Sequence, residues 1–454
     1  MVPSSLLGIL LELLAELDAS GSLPADARMG RFFRARRYLG ARDRRFLSGF
    51  SYAWLRLRLR AAARWDVWAS SSGLPRLAGM PAQDARLAEL AVLAQESAVP
   101  WSLGALLDAS SGLVAPSPAS PGALVGAIAS AQSFIPDSAW PSGEVERFAA
   151  EASLPAWMAE RLLRDLGAER ARSLCRLLLE EAPCDLRVNV SQASRESVQA
   201  AIDSTFGPGT ARLTPLSPVG LRLGRRQNLG ELRSRHPDWF EIQEEGSQLV
   251  TLLADPAPEH TVVDACAGGG GKTVALVDLM AARGGAGVVH ACEIREEKLD
   301  EVTRRVRGSA RVRTHKIDPS GPLPHSLPHE ADLVLLDVPC SGTGTLRRSP
   351  DLRLRHSASD LDRFSRLQME ILLRFAPLAR PGGSLVYSTC SLFREENEMV
   401  MDAFLSQRSE FREEPFPWAA GRLPDGCVSG GRVRLDPLRS GTDGFFVARL
   451  VRRT

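Results

Sequence analysis

"HTVVDACAGGGGKTVALVDLMAARGGAGVVHACEI", residues 260–294, decides the fold. A short β-branched run, Thr261 to Val263, ends in an acid, Asp264. Four consecutive glycines follow, then a stretch of helical period that Gly284 stops, then a second apolar run from Val288. Strand, glycine turn, helix and strand make the unit from which parallel sheets are built. The pattern continues outward. "REEKLDEVTRRVRG" reads as a helix, and "RVRTHKID", "ADLVLLDVP" and "GGSLVYSTCS" as three more strands. Ligands of such sheets bind beyond the carboxyl ends of the strands. Those ends carry Asp264 and Cys266, Glu293, Asp318, Asp337 and Cys340, and Cys390.

The loop "DACAGGGGKT", residues 264–273, admits three readings. A P-loop needs a glycine five residues before the Gly271–Lys272 pair, and Cys266 stands there. A dinucleotide fingerprint needs a third glycine where Thr273 stands. The third reading is an S-adenosylmethionine loop, in which residues without a Cβ let the backbone approach the cofactor closely. Cys266, Ala267, Gly268, Gly269, Gly270, Gly271 and Lys272 would line it. An acid ending the second strand, Glu293, then grips the ribose hydroxyls, and Asp318 after the third holds the adenine edge.

"DVPCSGTG" and "YSTCS" place Cys340 and Cys390 after consecutive strands, where they converge on one pocket. Cys266 and Cys292 read instead as small buried hydrophobes. Two thiols and a carboxylate suit one chemistry in particular. Cytosine C5 becomes nucleophilic once a thiolate adds at C6, and a second thiol assists release after the C5 proton leaves. A neighbouring acid steadies the base at N3/N4. Chemistry alone does not say which thiol attacks.

The 454 residues exceed one ordinary domain. Hydrophobic residues make up 44% and charged residues 24%, the balance of a globular chain. No apolar run reaches membrane-spanning length, and nothing marks secretion, so a cytoplasmic protein is expected. The seven cysteines are odd in number and lack C-x-x-C spacing, which argues against disulfides or zinc. "HSLPH" (His325, His329) has no cysteine pair beside it, and no metal site is expected. Net charge is only +2, but many arginines and a single acid, Asp43, lie between Arg28 and Arg64. Residues 1–105 have helical spacing throughout. "DASSGLVAPSPASPGAL", residues 108–124, reads as a loop or boundary. Residues 144–235 mix helices with the strands "CDLRVNV" and "GLRLG".

"DVPCSGTG", "YSTCS", "DACAGGGGKT" and "WFEIQEEGSQLV", with "RRSPDLR", "EENE" and "GTDGFFVARL", together resemble the RsmB/Sun (Fmu) family of RNA cytosine-5 methyltransferases. The resemblance implies that Cys390 is the nucleophile, Cys340 the release-assisting thiol and Asp337 the base-contacting acid, which also borders the cofactor. Gly269 departs from the Pro or Ala usual at its place, which implies a looser loop. Residues 1–135 resemble the NusB-type RNA-binding domain that precedes such enzymes, and residues 144–235 their RRM-like extension.

The fold expected is therefore multidomain: an all-α N-terminal domain (1–135), a small α+β RRM-like module (144–235), and a Rossmann-like class I methyltransferase domain with a mainly parallel sheet (236–454). The partner expected is RNA, ribosomal RNA foremost, met by a monomer through Arg36, Arg37, Arg44 and Arg45. A non-catalytic RNA-binding assembly factor is the alternative, and the intact cysteine pair counts against it.

Overall fold

The computed structural model describes residues 3–19, 23–111, 135–306 and 309–454. They form two compact units. One holds residues up to Glu181 together with Leu346–Ala358, and the other holds Ala182–Thr345 and Ser359–Thr454.

The first unit is helical. Its longest helix, Ala41–Ser72, buries Leu47, Phe50, Trp54, Ala61, Trp65 and Ala69, a stripe at helical spacing. Gly73, at φ 70°, ends it in the left-handed conformation. Leu7, Leu10, Leu14 and Leu17 of helix Pro3–Asp18 and Leu87, Leu90 and Leu93 of helix Ala82–Gln95 complete the core. The expected all-α reading of this part holds. Asp108–Ser111, expected in a loop, form the last turn of helix Leu103–Ser111, because the apolar "LGALL" carries the helix into them. Residues 112–124 of that expected loop lie outside the described residues.

Helices Glu144–Ala152, Ala156–Leu166 and Ala168–Leu178 belong to the same unit. So does Leu346–Ala358, which the chain reaches only after most of the second unit. Within the helical unit this segment is built in deeply. Arg353 is 1% exposed and donates to the carbonyls of Leu346 at 3.0 Å and Leu178 at 2.8 Å. Asp351 accepts the N–H of Ala25 at 3.1 Å. Helix Ala25–Ala35 has no capping side chain of its own at Pro24, and Asp351 supplies the missing acceptor.

The second unit carries two sheets. The smaller has β1 (Cys184–Val188), β2 (Ala211–Leu213), β3 (Gly220–Leu223) and β4 (Phe240–Ile242) in the antiparallel order β2-β3-β1-β4. Helix Arg195–Phe206 packs on it through Val198 and Ile202, against Leu186, Val188 and Leu221. Ser194 starts that helix by accepting from the Ser197 N–H, and Gly207 ends it at φ 107°.

The larger sheet contains β5 (Thr261–Asp264), β6 (Val288–Glu293), β7 (Val312–Lys316), β8 (Ala331–Asp337), β9 (Ala379–Thr389), β10 (Phe411–Glu413), β11 (Val428–Ser429), β12 (Arg432–Leu435) and β13 (Phe445–Arg452). Its order is β11-β12-β13-β9-β8-β5-β6-β7, with β10 also paired to β13. The five strands β7, β6, β5, β8 and β9 run parallel, and the remaining four add antiparallel beyond β9. Strand order reverses beside β5, where β6 pairs on one side and β8 on the other. The crevice at the carboxyl ends of these strands is where such a sheet binds ligands.

Candidate active site

The glycine loop leaves β5 at that reversal. Ala265 N–H donates to Leu335 of β8 at 2.9 Å, and Ala267 N–H to Cys292 of β6 at 2.9 Å, so the loop is pinned to both neighbours. Gly268 at φ 54° and Gly270 at φ 83° adopt left-handed backbone that other residues resist. A Cβ at Gly268 would meet nothing within 4 Å. Bare backbone faces open space there, which fits a ligand that needs close approach. Below the loop, Thr273 donates to the buried Asp264 at 2.7 Å, tying strand end to helix start. Burial pushes the Asp264 carboxyl up to about 6, against the bond from Thr273. Burial, then the Asp264 carboxylate, raises the Cys266 thiol well above its ordinary range. Cys292 is fully buried in the core.

Asp337 ends β8 with both carboxylate oxygens engaged. Lys272, from the first turn of helix Gly271–Ala282, approaches Oδ2 at 2.5 Å, and Ser388 of β9 donates to Oδ1 at 2.7 Å. Burial alone would lower the Lys272 ammonium, but Asp337 outweighs it and holds it above its usual value, with the Cys390 sulfur adding to the effect.

The two predicted cysteines do converge. Cys340 Sγ and Cys390 Sγ lie 3.4 Å apart. The bond to Cys390, then burial, pushes the Cys340 thiol well above the ordinary range. The structure thus brings Asp337, Lys272, Cys340 and Cys390 to one end of β5, β8 and β9.

Glu293 stands at the end of β6 and accepts the backbone N–H groups of Ile294 and Arg295, both at 3.0 Å and both on Oε1. Asp318 lies two residues past β7, exposed, and accepts the Ser320 N–H at 2.9 Å. In the helical unit, Arg36 pairs with Glu12 at 2.8 Å and lies 3.6 Å from the Phe32 ring centroid. Arg44 donates to the Leu39 carbonyl at 2.9 Å. Arg37 and Arg45 are exposed.

Sequence reasoning missed the residues that support this site. Ser388, Gln368, Glu396 and Asn397 are buried polar groups bonded around it. "EENE" contains two of them, and a cluster of acids just past a strand end was the one available signal. Among the described residues, no group of three or more His, Cys, Asp or Glu is placed to hold a metal ion. No helix among them is long and apolar enough to cross a membrane.

Comparison with known proteins agrees with this architecture. Residues 250–451 match the family described as 16S rRNA methyltransferase RsmB/F, and residues 154–229 match the ferredoxin-like domain of RsmF/B-like methyltransferases. A probable ribosomal RNA small subunit methyltransferase B from Synechocystis is 34% identical over 301 residues, 66% of each chain. One from Bacillus subtilis is 32% identical over 310 residues, 67% of this chain and 68% of the other. These matches span about two thirds of the relatives' length. The crystal structure of PH0851 superposes over 100% of this chain and 99% of its own, with a TM-score of 0.76 and 25% identity. With the glycine loop, the paired thiols and these relatives in agreement, the chain belongs to the RsmB/F family of 16S rRNA methyltransferases.

Proposed function

We propose that this protein methylates C5 of a cytosine in small-subunit ribosomal RNA through a covalent Cys390–C6 adduct. The observation that carries the reading is the pair of sulfurs 3.4 Å apart beside Asp337. S-adenosylmethionine, held by the loop Cys266–Lys272 with Glu293, Asp318 and Asp337, supplies the methyl group when bound. Cys390 adds to C6 and makes C5 electron-rich. Asp337, already steadied by Lys272 and Ser388, takes the base edge at N3/N4. A base in the site then takes the C5 proton, the freed electron pair re-forms the C5–C6 double bond, and the Cys390–C6 bond breaks with its pair returning to sulfur; Cys340 assists that release. The direct contact of the two sulfurs supports a joint role for them, and the choice of Cys390 as the attacking sulfur rests on the family resemblance. RNA is gripped in the helical part, with Arg36, Arg37, Arg44 and Arg45 as phosphate contacts, and the exposure of Arg37 and Arg45 supports this. The working form is a cytoplasmic monomer. Its parts are an RNA-binding region over 1–135, an RRM-like extension over 144–235 and a catalytic domain over 236–454.

The test separates addition from release. Cys390→Ala should abolish both methyl transfer and any covalent protein–RNA species. Cys340→Ala should trap that species as a slow band on a denaturing gel. Normal turnover by Cys340→Ala, or an adduct in Cys390→Ala, overturns the assignment.

A further inference from the structure

Each reactive cysteine is followed by a serine: Ser341 after Cys340 and Ser391 after Cys390. Both serines end on one group. Glu396, fully buried, accepts the Ser341 N–H at 2.8 Å and Gln368 Nε2 at 3.1 Å on Oε1. Its Oε2 accepts the hydroxyls of Ser341 and Ser391, each at 2.5 Å. All four acceptor directions of the carboxylate are used. The surroundings hold the glutamate in turn. Tyr387 Oη donates to its carbonyl at 2.6 Å. Gln368 also donates to the Pro339 carbonyl at 3.0 Å, and Asn397 Nδ2 to the Ser391 carbonyl at 3.0 Å. The loops after β8 and β9, 50 residues apart in sequence at their cysteines, are thus fastened through one side chain.

We propose that Glu396 is a positioning residue for the thiol pair: by holding the residue after each cysteine, it sets the separation at which Cys340 and Cys390 act on one substrate. Its bonds go to the serines and Gln368 rather than to the sulfurs, so it acts through its neighbours. A buried polar network with every member satisfied makes such a fixture rigid. Glu396 is also among the causes that raise the Cys340 thiol.

The separation can be read without RNA or cofactor. Diamide takes two electrons and two protons from a thiol pair, forming the S–S bond and becoming the hydrazine. The sulfurs must close from 3.4 Å to about 2.05 Å, so the rate reports how well they are juxtaposed. Cross-linking of the Cys340 and Cys390 peptides is followed by mass spectrometry, with Cys340→Ser as the blank. Glu396→Ala should slow cross-linking at least tenfold in protein that remains folded. Glu396→Gln keeps the shape and changes one acceptor to a donor; it should slow the reaction at least threefold, and it decides the matter if the alanine variant does not fold. A role in stability alone lowers the melting temperature and leaves the oxidation rate of folded protein unchanged. An unchanged rate in either folded variant overturns the proposal. The catalytic consequence rests on the cytosine-5 reading above: both variants should accumulate the RNA adduct more slowly than wild type. Slowed cross-linking in a protein that forms no RNA adduct at all would sink that reading and leave the positioning role standing.

Discussion

Asp337 is committed before any substrate arrives. One oxygen faces an ammonium and the other a hydroxyl, so its orientation is fixed and only its remaining lone pairs are open to a further partner. Gly269 shows a different kind of constraint. It is absent from the left-handed glycines that flank it, Gly268 and Gly270, which set the loop's shape. A Cβ at 269 would meet the Glu301 carboxylate at 2.9–3.0 Å, the movable end of a long side chain. The turn therefore does not demand a glycine at 269, and the extra backbone freedom of glycine there is not offset by a conformation only glycine can adopt. Glu293 offers a test at this scale. Glu293→Gln should weaken S-adenosylmethionine binding by roughly 1.5–3 kcal/mol, the worth of hydrogen bonds to a charged group. Binding of RNA without cofactor should scarcely change. Titration calorimetry giving wild-type cofactor affinity would remove Glu293 from the site. Asp264, Glu293, Asp337, Cys340 and Cys390 were legible in the sequence because each closes or follows a largely apolar run, whereas Asp318 follows a mostly polar strand. Glu396 was not, because nothing in a run of acids reveals which one is buried.

Neighbouring strands carry a second paired group. His290 of β6 and His315 of β7 bond through Nδ1 and Nε2 at 2.9 Å, with rings 15° apart, and His315 Nδ1 reaches Ser326 at 3.1 Å. Such a contact needs one ring nitrogen to donate and the other to accept, and a doubly protonated imidazole has no acceptor. Burial, then His315 and Arg313, lowers His290 to about 4, and burial with Arg313 lowers His315. Both folded values lie below the unfolded value of about 6.5. The pair's contribution is therefore complete above pH ~6.5 and declines as pH falls toward 4, because the unfolded chain binds more protons in that window. Melting temperatures of wild type and His290→Asn should converge as pH drops from 7 to 4.5. Parallel curves would show that the pair does not govern acid stability. The sequence displayed this sheet's long elements well, since β5, β6, β8 and their helices carry clear periods. The strands β2, β4, β10 and β11 have only two or three residues and show no period, so they emerge only from pairing.

Over the whole molecule, the arginine cluster divides by environment. Arg28 is buried and donates to the carbonyls of Glu16, Leu17 and Ala19, closing the end of helix Pro3–Asp18. Arg64 donates to the Pro136 carbonyl at 2.9 Å. Arg36 and Arg44 are held by Glu12 and Leu39. In the middle module, Arg222 is bound by Asp185 and Glu245. Sequence clustering merges buried structural arginines such as Arg28 and Arg64 with more accessible ones because it counts charge without burial. For single-stranded RNA each neutralised phosphate contributes about 0.7 to the salt slope. Arg37→Gln with Arg45→Gln should thus reduce the slope by up to ~1.4 and weaken binding at low salt. Methylation of saturating short RNA should persist. Filter binding at several salt concentrations checks this, and an unchanged slope would place the RNA elsewhere.

The thirteen residues Leu346–Ala358 have a consequence for how such a chain can be recombined. Their Asp351 and Arg353 complete the helical unit, yet their codons lie inside the stretch that encodes the catalytic sheet. A single crossover near residue 181 that brought in a foreign head would leave behind the piece that caps helix Ala25–Ala35. The new head would meet a segment fitted to its predecessor. Replacing the whole helical unit with a relative's would therefore need two coordinated breakpoints rather than one.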